Sequence, residues 1–367
     1  MFTREDLDAL ANLKTPSPVL SVYLCTNPAE GPADTHKLHL RSMLEGIDLT
    51  EDVRAVEDYF DHQYDWKSFR SAVVFSCQEE DFFQAIPLSL EVTNRTKTGL
   101  FPYIVPLTDL LDSHTGNGIV LIDQQRARYF VFHLGNLLAE EVFEGEQIQR
   151  QKHGGGSQTV GNWRGDEGSG EQIDTIANRN MRTAADRADD FFSKNDIRRV
   201  FLGGTEKNIS AFRQLLSRSW QSLIVGTFQV DLNIPDQEIQ LLISEMVQEE
   251  SNKRKEVLLE TVITETAKGR HGLLRVDDIL GAVREGRVQN LLIGEDYHQH
   301  GFQCTSCDYL TAQKLESCPF CGAEFEEIDD LGALAVRKVL TTGGRVEVLS
   351  DSKELSERGG MGALLRY

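Results

Sequence analysis

Basic residues are scarce in this chain: 38 Lys and Arg stand against 58 Asp and Glu in 367 residues, giving a net charge of −20 and a pI near 4.9. That balance excludes a protein that grips naked nucleic acid through phosphates alone, so any RNA contact has to be local or driven by shape. Long apolar runs are missing too, and none approaches the length of a membrane span. The amino terminus Met1-Phe2-Thr3-Arg4-Glu5-Asp6 is charged rather than signal-like, so the expectation is a cytoplasmic protein with no membrane part. Cysteine is sparse, with six in all. Cys25 and Cys77 end the apolar runs Val19–Cys25 and Ala72–Cys77 and are expected to be reduced core residues. No catalytic constellation stands out in the first third. His36, His39 and His62 lack ligand spacing and are expected to be solvated or capping.

What is present suffices for two or three domains, since 40 % hydrophobic residues can give each a core. The expected fold class is α/β in three modules. Residues 1–112 form an α+β module: an amphipathic segment with Leu7, Leu10 and Leu13, a strand ending at Cys25, and a helix with Leu38, Leu40, Met43, Leu44 and Ile47 on or near one face. Strands at Ala72 and at Phe82–Ile86 follow, then a helix at Leu107–Leu111. Residues 116–233 form a mixed α/β domain, with strands Gly118–Asp123, Ala127–Phe132 and Glu140–Phe143, a glycine-rich loop and a long helix. That helix has Ser169 and Gln172 as a capping box and Ile173, Ile176, Ala177, Ala184, Ala188, Phe191 and Phe192 at helical spacing. Strand Arg199–Gly203, a helix around Ala211–Ser219 and strand Leu223–Val230 complete it. Residues 236–367 form an α/β domain that opens with a charged helix, Asp236 to about Ala267, which equally reads as a partner-binding face. Helix Val276–Glu285, strand Val288–Ile293, helix Leu331–Leu340 and strand Arg345–Leu349 follow, with an insertion at 302–323.

That insertion carries the strongest chemical signal. Cys304 and Cys307, then ten residues, then Cys318 and Cys321 make paired Cys-x-x-Cys knuckles, which present four thiolates to one tetrahedral ion. Four sulfurs leave no open position, so the expected Zn²⁺ is structural; His298 and His300 are surplus to it.

The segment Lys152-His153-Gly154-Gly155-Gly156-Ser157-Gln158 and its continuation to Gly170 carry seven glycines in the eighteen residues from His153. It is expected to be a mobile, extended loop between a strand and a helix, ordered only by what it binds. It is not a phosphate-binding P-loop, because no Gly-Lys-Ser/Thr closes it. Composition alone favours a flexible linker.

Position and order add what composition does not. Residues 152–158 sit where the eukaryotic and archaeal class-1 peptide-chain release factors, with their relative Pelota, carry Lys-His-Gly-Arg-Gly-Gly-Gln-Ser, and the chain resembles that superfamily over nearly its whole length. The chain end from Gly359 to Tyr367 resembles the family's final Gly-Gly-x-Gly-Ala-x-Leu-Arg-Tyr strand, and 276–293 resembles its third domain, where archaeal members insert a four-cysteine ribbon. The motif departs in one respect: Gly155-Gly156-Ser157-Gln158 is one residue longer than the release-factor Gly-Gly-Gln and is similar to the Gly-Gly-Ser-Gln of ribosome-quality-control hydrolases and bacterial homologues. The family's Asn-Ile-Lys-Ser and Tyr-x-Cys decoding motifs are not found; Thr35–Arg41 occupies roughly that place, so stop-codon decoding is not expected.

The resemblance implies action on peptidyl-tRNA at stalled ribosomes on the large subunit, with room for a GTPase partner. Gln158 would orient a water at the ester while Gly155, Gly156 and Ser157 let the backbone approach the terminal ribose. Lys152, His153, Arg164, Arg179 and Arg182 are the candidate RNA contacts, although the arginines read more simply as the polar face of an amphipathic helix. Two alternatives stay open: cleavage of a phosphodiester near the tRNA 3′ end, and a non-catalytic ribosome-binding or recycling adaptor like Pelota.

Overall fold

The computed structural model describes residues 2–148, 167–350 and 352–367. The described chain divides into two compact units: Met1–Ser113 with Ser251–Tyr367, and His114–Glu250. Within the first unit the two points where the chain leaves and returns meet, with the Ser113 and Ser251 hydroxyls 2.8 Å apart.

Helix α1 (Arg4–Asn12) is started by a capping box, Thr3 with Asp6, and buries Leu7, Leu10 and Ala11. Strand β1 (Val19–Cys25) is buried at every residue, as is β2 (Ser71–Cys77), because both are inner strands of one antiparallel sheet covered on both faces. Their neighbours are β3 (Phe82–Leu88) and β4 (Arg95–Gly99), in the order β3-β2-β1-β4. Helices α2 (Ala33–Leu44) and α3 (Thr50–His62) cover one face with Leu40, Leu44, Val56 and Phe60. Leu38 departs from expectation: it points to solvent, 65 % exposed. His36 also departs, being buried rather than solvated; its ring stacks on Trp66 at 6.2 Å and its Nε2 lies 3.2 Å from the Gly31 carbonyl. A single 3₁₀ turn, Gln78–Glu80, joins β2 to β3, and α4 (Val105–His114) closes this half.

The second unit is built on a five-stranded sheet of order β7-β6-β5-β8-β9. Strands β5 (Asn117–Ile122), β6 (Arg126–His133) and β7 (Asn136–Glu144) pair antiparallel. The β6–β7 turn places Leu134 and Gly135 at φ +47° and +76°, the doubly left-handed geometry that matches strand twist. Helix α5 (Glu167–Ser193) leads to β8 (Arg199–Gly204), and α6 (Glu206–Leu215) with the short α7 (Arg218–Gln221) leads to β9 (Ile224–Phe228); β5, β8 and β9 run parallel. Alternation along β5 then divides the core. Val120 and Ile122 pack with Met181, Ala184, Ala188 and Phe192 of α5, whereas Ile119 and Leu121 pack with Ile239, Ile243 and Val247 of α8 (Asp236–Ala267). The capping box expected at Ser169 is not at a helix start, because Glu167 is already helical.

In the first unit the later part of α8 packs Leu259 and Val262 against Leu292, Leu349 and Leu355. Helix α8 therefore contributes apolar residues to two cores, while Leu241 and Val257 remain exposed. Strands β10 (Gly272–Leu273), β11 (Val288–Gly294), β15 (Arg345–Leu349) and β16 (Met361–Leu365) form a sheet of order β10-β16-β11-β15 with β11 and β15 parallel. Helices α9 (Val276–Arg284), α10 (Leu331–Thr341) and α11 (Lys353–Ser356) accompany it. Between β11 and α10 a small sheet is inserted, β12 (Gly301–Cys304), β13 (Leu310–Thr311) and β14 (Phe325–Ile328), of order β13-β12-β14. The glycine pair near the chain end has a packing reason: a Cβ on Gly360, at φ +74°, would come within 2.5 Å of the Tyr297 ring.

The two halves of this unit are joined by charge as well as by packing. Arg95 donates to the Glu295 carbonyl at 3.1 Å and to Asp296 at 3.0 Å, and Arg337 of α10 donates to the Ala11 and Leu13 carbonyls. Lys255 meets Asp109 at 2.6 Å, and Arg254 bridges Asp112 and, at 3.4 Å, Glu347. Glu347 is 3 % exposed; burial first, then the nearby Asp112 charge, pushes its carboxyl up from 4.5 to about 7. Its proton is held more tightly in the folded chain, so between pH 4.5 and 7 the folded state binds more protons and stability falls as pH rises. Glu347→Gln is expected to flatten that slope, on the order of 3 kcal/mol across the window. Thermal unfolding at several pH values checks this; an unaltered slope would show that Glu347 does not set it.

Candidate functional site

Of the loop residues singled out from the sequence, Lys152, His153, Gly155, Gly156, Ser157, Gln158 and Arg164 lie outside the described residues. What is described is the base from which the segment departs. Asp123 Oδ1 accepts the Gln125 and Arg126 amides at 2.6 Å each, which tightens the β5–β6 turn. The Gly145 amide then donates to the Gln125 carbonyl at 2.7 Å, which ties the end of β7 to that turn.

One residue that the sequence reading missed organises this base. Asn180 of α5 is 4 % exposed; its Oδ1 accepts the Glu146 amide at 2.9 Å, and its Nδ2 donates to the Glu146 carbonyl at 3.0 Å and the Gln124 carbonyl at 3.2 Å. The side chain lies so close that a Cβ on Gly145 would come within 2.4 Å of it, which is why glycine stands there. The chain entering the glycine-rich segment is thus latched to the helix that follows it. Asn180→Ala would leave three part-buried backbone groups without their side-chain partner and is expected to cost about 2–3 kcal/mol, several degrees in the unfolding midpoint. Differential scanning calorimetry of the full chain checks this, and an unshifted midpoint would dismiss the latch.

Two candidate cations are on the same helix. Arg179 pairs with Glu146 at 2.8 Å, both more than half exposed, which is a weak and displaceable contact. Arg182 is exposed and has no ion-pair partner among the described residues. Arg187, one turn on, lies over the Phe143 ring at 5.0 Å and near Glu141 at 3.5 Å, so it is already engaged with β7.

The four cysteines of the insertion come together. Their sulfurs all lie within 4.8 Å of one another, with Cys304 to Cys321 at 3.3 Å and Cys307 to Cys318 at 3.5 Å. A tetrahedral site with metal–sulfur bonds near 2.3 Å has sulfur–sulfur edges of about 3.8 Å, so the cluster fits one ion. The two knuckles repeat the same backbone pattern: the Asp308 amide donates to the Cys304 carbonyl and the Gly322 amide to the Cys318 carbonyl. Likewise the Cys304 amide donates to the Tyr309 carbonyl and the Cys318 amide to the Ala323 carbonyl, while Asp308 and Gly322 both take positive φ. The Cys307 amide pulls the Cys304 thiol down to about 6. Cys321 is pushed up to about 11 by the neighbouring sulfurs, against the pull of the Ala323 amide. Four thiols this close do not all ionise by themselves; a divalent cation supplies the charge that lets them. The insertion is fixed to the domain by Arg284 of α9 over the Phe320 ring at 3.7 Å and by Gln313 donating to Asp277 at 2.7 Å. Cys25 and Cys77 are buried, with thiols raised by burial, as expected of core residues.

Among the described residues no helix is long and apolar enough to cross a membrane. Residues 102–249 match the family model of the bacterial archaeo-eukaryotic release factor family 10. No curated protein matches the chain. Solved structures similar to it include an archaeal translation termination factor, aRF1, at 16 % identity over 100 % of this chain and 99 % of that one, with a TM-score of 0.28. Pelota of Archaeoglobus fulgidus matches at 14 % identity over 100 % and 92 % with a TM-score of 0.36, and Dom34 of S. cerevisiae at 11 % over 83 % and 81 % with 0.41. The family match covers all of β5 to β9 together with the glycine-rich segment between β7 and α5, so it is this middle part of the chain that is similar to the bacterial archaeo-eukaryotic release factors.

Proposed function

We propose that this protein frees nascent chains from peptidyl-tRNA at stalled ribosomes by hydrolysing the ester at the tRNA 3′ end. The observation that carries the reading is that the release-factor match spans Gly155-Gly156-Ser157-Gln158, so the glutamine motif lies within the part of the chain that is release-factor-like. Gln158 orients a water, and Gly155, Gly156 and Ser157 bring the backbone to the terminal ribose. Lys152, His153, Arg164, Arg179 and Arg182 contact RNA around that site; for Arg179 this means exchanging a surface carboxylate for a phosphate. Cys304, Cys307, Cys318 and Cys321 hold a structural Zn²⁺ that closes the insertion. The working division is three modules, 1–112, 116–233 and 236–367, with the large ribosomal subunit as partner, a GTPase as escort and the cytoplasm as location. The net charge of −20 favours recognition of one local RNA shape over broad phosphate binding.

The test uses stalled large-subunit complexes carrying peptidyl-tRNA labelled on both peptide and tRNA. Free peptide with intact tRNA is the expected product. Peptide still bearing nucleotides would move the reaction to the phosphodiester. Binding without either product would make the protein an adaptor, and failure to co-sediment with large subunits at low salt would sink every ribosomal reading.

A further inference from the structure

A second constellation of metal-binding side chains lies at the neck of the insertion, and it uses none of the four cysteines. Strands β12 and β14 pair antiparallel with Gly301 opposite Ile328, so the next step outward sets His300 opposite Asp329. His298 stands two residues before His300, on the same side of the extended chain. Accordingly His300 Nδ1 is 3.2 Å and His298 Nε2 is 3.8 Å from the same Asp329 oxygen, and the three groups each offer one ligand atom within 4.8 Å of the others. Two imidazole nitrogens and a carboxylate oxygen bound at about 2.0–2.1 Å would stand about 3.4 Å apart around a tetrahedral ion, between the two distances observed.

The surroundings orient these groups beyond mere proximity. The other nitrogen of His298, Nδ1, faces Asp330 Oδ2 at 3.6 Å, so each ring nitrogen has a carboxylate within 4 Å. Asp330 is itself held: its Oδ1 caps α10 by accepting the Ala333 amide at 2.9 Å, and Lys97 stands 3.8 Å from Oδ2. The backbone on the His298 side is anchored as well, with Tyr297 packed against Gly332 and Gly360, and the Gln299 carbonyl accepting the Leu331 amide at 2.9 Å.

We infer that His298, His300 and Asp329 form a second metal site, for a borderline divalent cation such as Zn²⁺ or Ni²⁺, at the neck of the insertion. The imidazoles select against Mg²⁺ and Ca²⁺, which take oxygen ligands. His298, His300 and Asp329 are 38, 77 and 69 % exposed, so the remaining positions of the ion face water and the site exchanges, unlike the closed sulfur cluster. An ion there would join the strand entering the insertion to the strand leaving it, so its occupancy would stiffen the neck.

Untagged full-length protein with one zinc equivalent already bound is titrated with Ni²⁺ by calorimetry, and in parallel with Co²⁺ by absorption spectroscopy. One further equivalent is expected, its cobalt spectrum free of thiolate charge transfer. His300→Ala and Asp329→Asn are each expected to weaken it at least tenfold with an unshifted unfolding midpoint. Asp330→Asn, which keeps an effective helix cap, is expected to weaken it by about tenfold through His298 alone. No further equivalent, equal affinity in His300→Ala and Asp329→Asn, or thiolate charge transfer in the second cobalt spectrum would each overturn the inference.

Discussion

Gln158→Ala is expected to slow single-turnover peptide release from stalled complexes by about 10²–10³, the usual loss when one fixed hydrogen-bonding group is removed from around a reacting carbonyl. The glutamine amide serves as both donor and acceptor and does not titrate, so it orients a water without acting as a base. Two consequences separate this role from general-base catalysis. In the parent protein the release rate should show no ionisation attributable to position 158. In Gln158→Glu the acceptor is kept, but the side chain ionises above a pH of about 4.3, so release should fall as pH rises through that region and stay low at neutral pH. Binding to large subunits should be unchanged in both variants, which makes the loss one of rate. Release by Gln158→Ala at the parental rate would remove the glutamine from the mechanism.

Cys307→Ser is expected to abolish the tight zinc equivalent and melt the insertion. Structural zinc in small closed sites carries about 10–16 kcal/mol of apparent binding free energy, far more than the few short strands of this insertion can supply by themselves. The insertion buries little: Cys304, Leu310, Thr311 and Cys318 are its most enclosed side chains, while Phe320 is 53 % exposed, covered by Arg284 and the edge of the Tyr309 ring. Metal analysis and limited proteolysis of the full chain check this, with cleavage expected within 302–323. The parallel β11–β15 pair does not run through the insertion, so the rest of the domain should persist with a lowered unfolding midpoint. Zinc loss with neither cleavage nor a lowered midpoint would show that the ion does no structural work.

Much of this architecture was legible wherever a short segment carries its own reason. Strands β1, β5 and β11 are apolar runs bounded by turn residues, and α8 and α10 follow their periodicity, so the reading found them near their observed bounds. The cysteine knuckles were legible because ligand spacing is local. Strand β4 was passed over: Arg95–Gly99 is polar and half-exposed, and its strand character comes from pairing with β1, 80 residues upstream at the Val19–Gly99 contact, against which local pattern says nothing. Helix α3 was missed because acidic residues dilute its apolar stripe of Val53, Val56, Tyr59 and Phe60. Helix α6 begins at its cap Thr205, earlier than the apolar spacing around Ala211 suggested. Asn180 left no trace, since its partners lie 34 and 56 residues away. The same holds for the histidine–aspartate cluster: His298 and His300 looked surplus until strand register brought Asp329 across from them.

The meeting of Ser113 and Ser251 bears on how the protein is made. The first unit is assembled from the earliest and the latest residues of the chain, with His114–Glu250 inserted between them. A ribosome adding about 5–20 residues per second takes on the order of ten seconds to pass that stretch, during which the amino-terminal half lacks Glu295 and Asp296 for Arg95 and Arg337 for the Ala11 and Leu13 carbonyls. The inserted unit, contiguous in sequence, can close as soon as it emerges, whereas the unit around it is completed only when the carboxyl-terminal half arrives. A protein that we assign to stalled translation would therefore depend on uninterrupted translation for its own assembly.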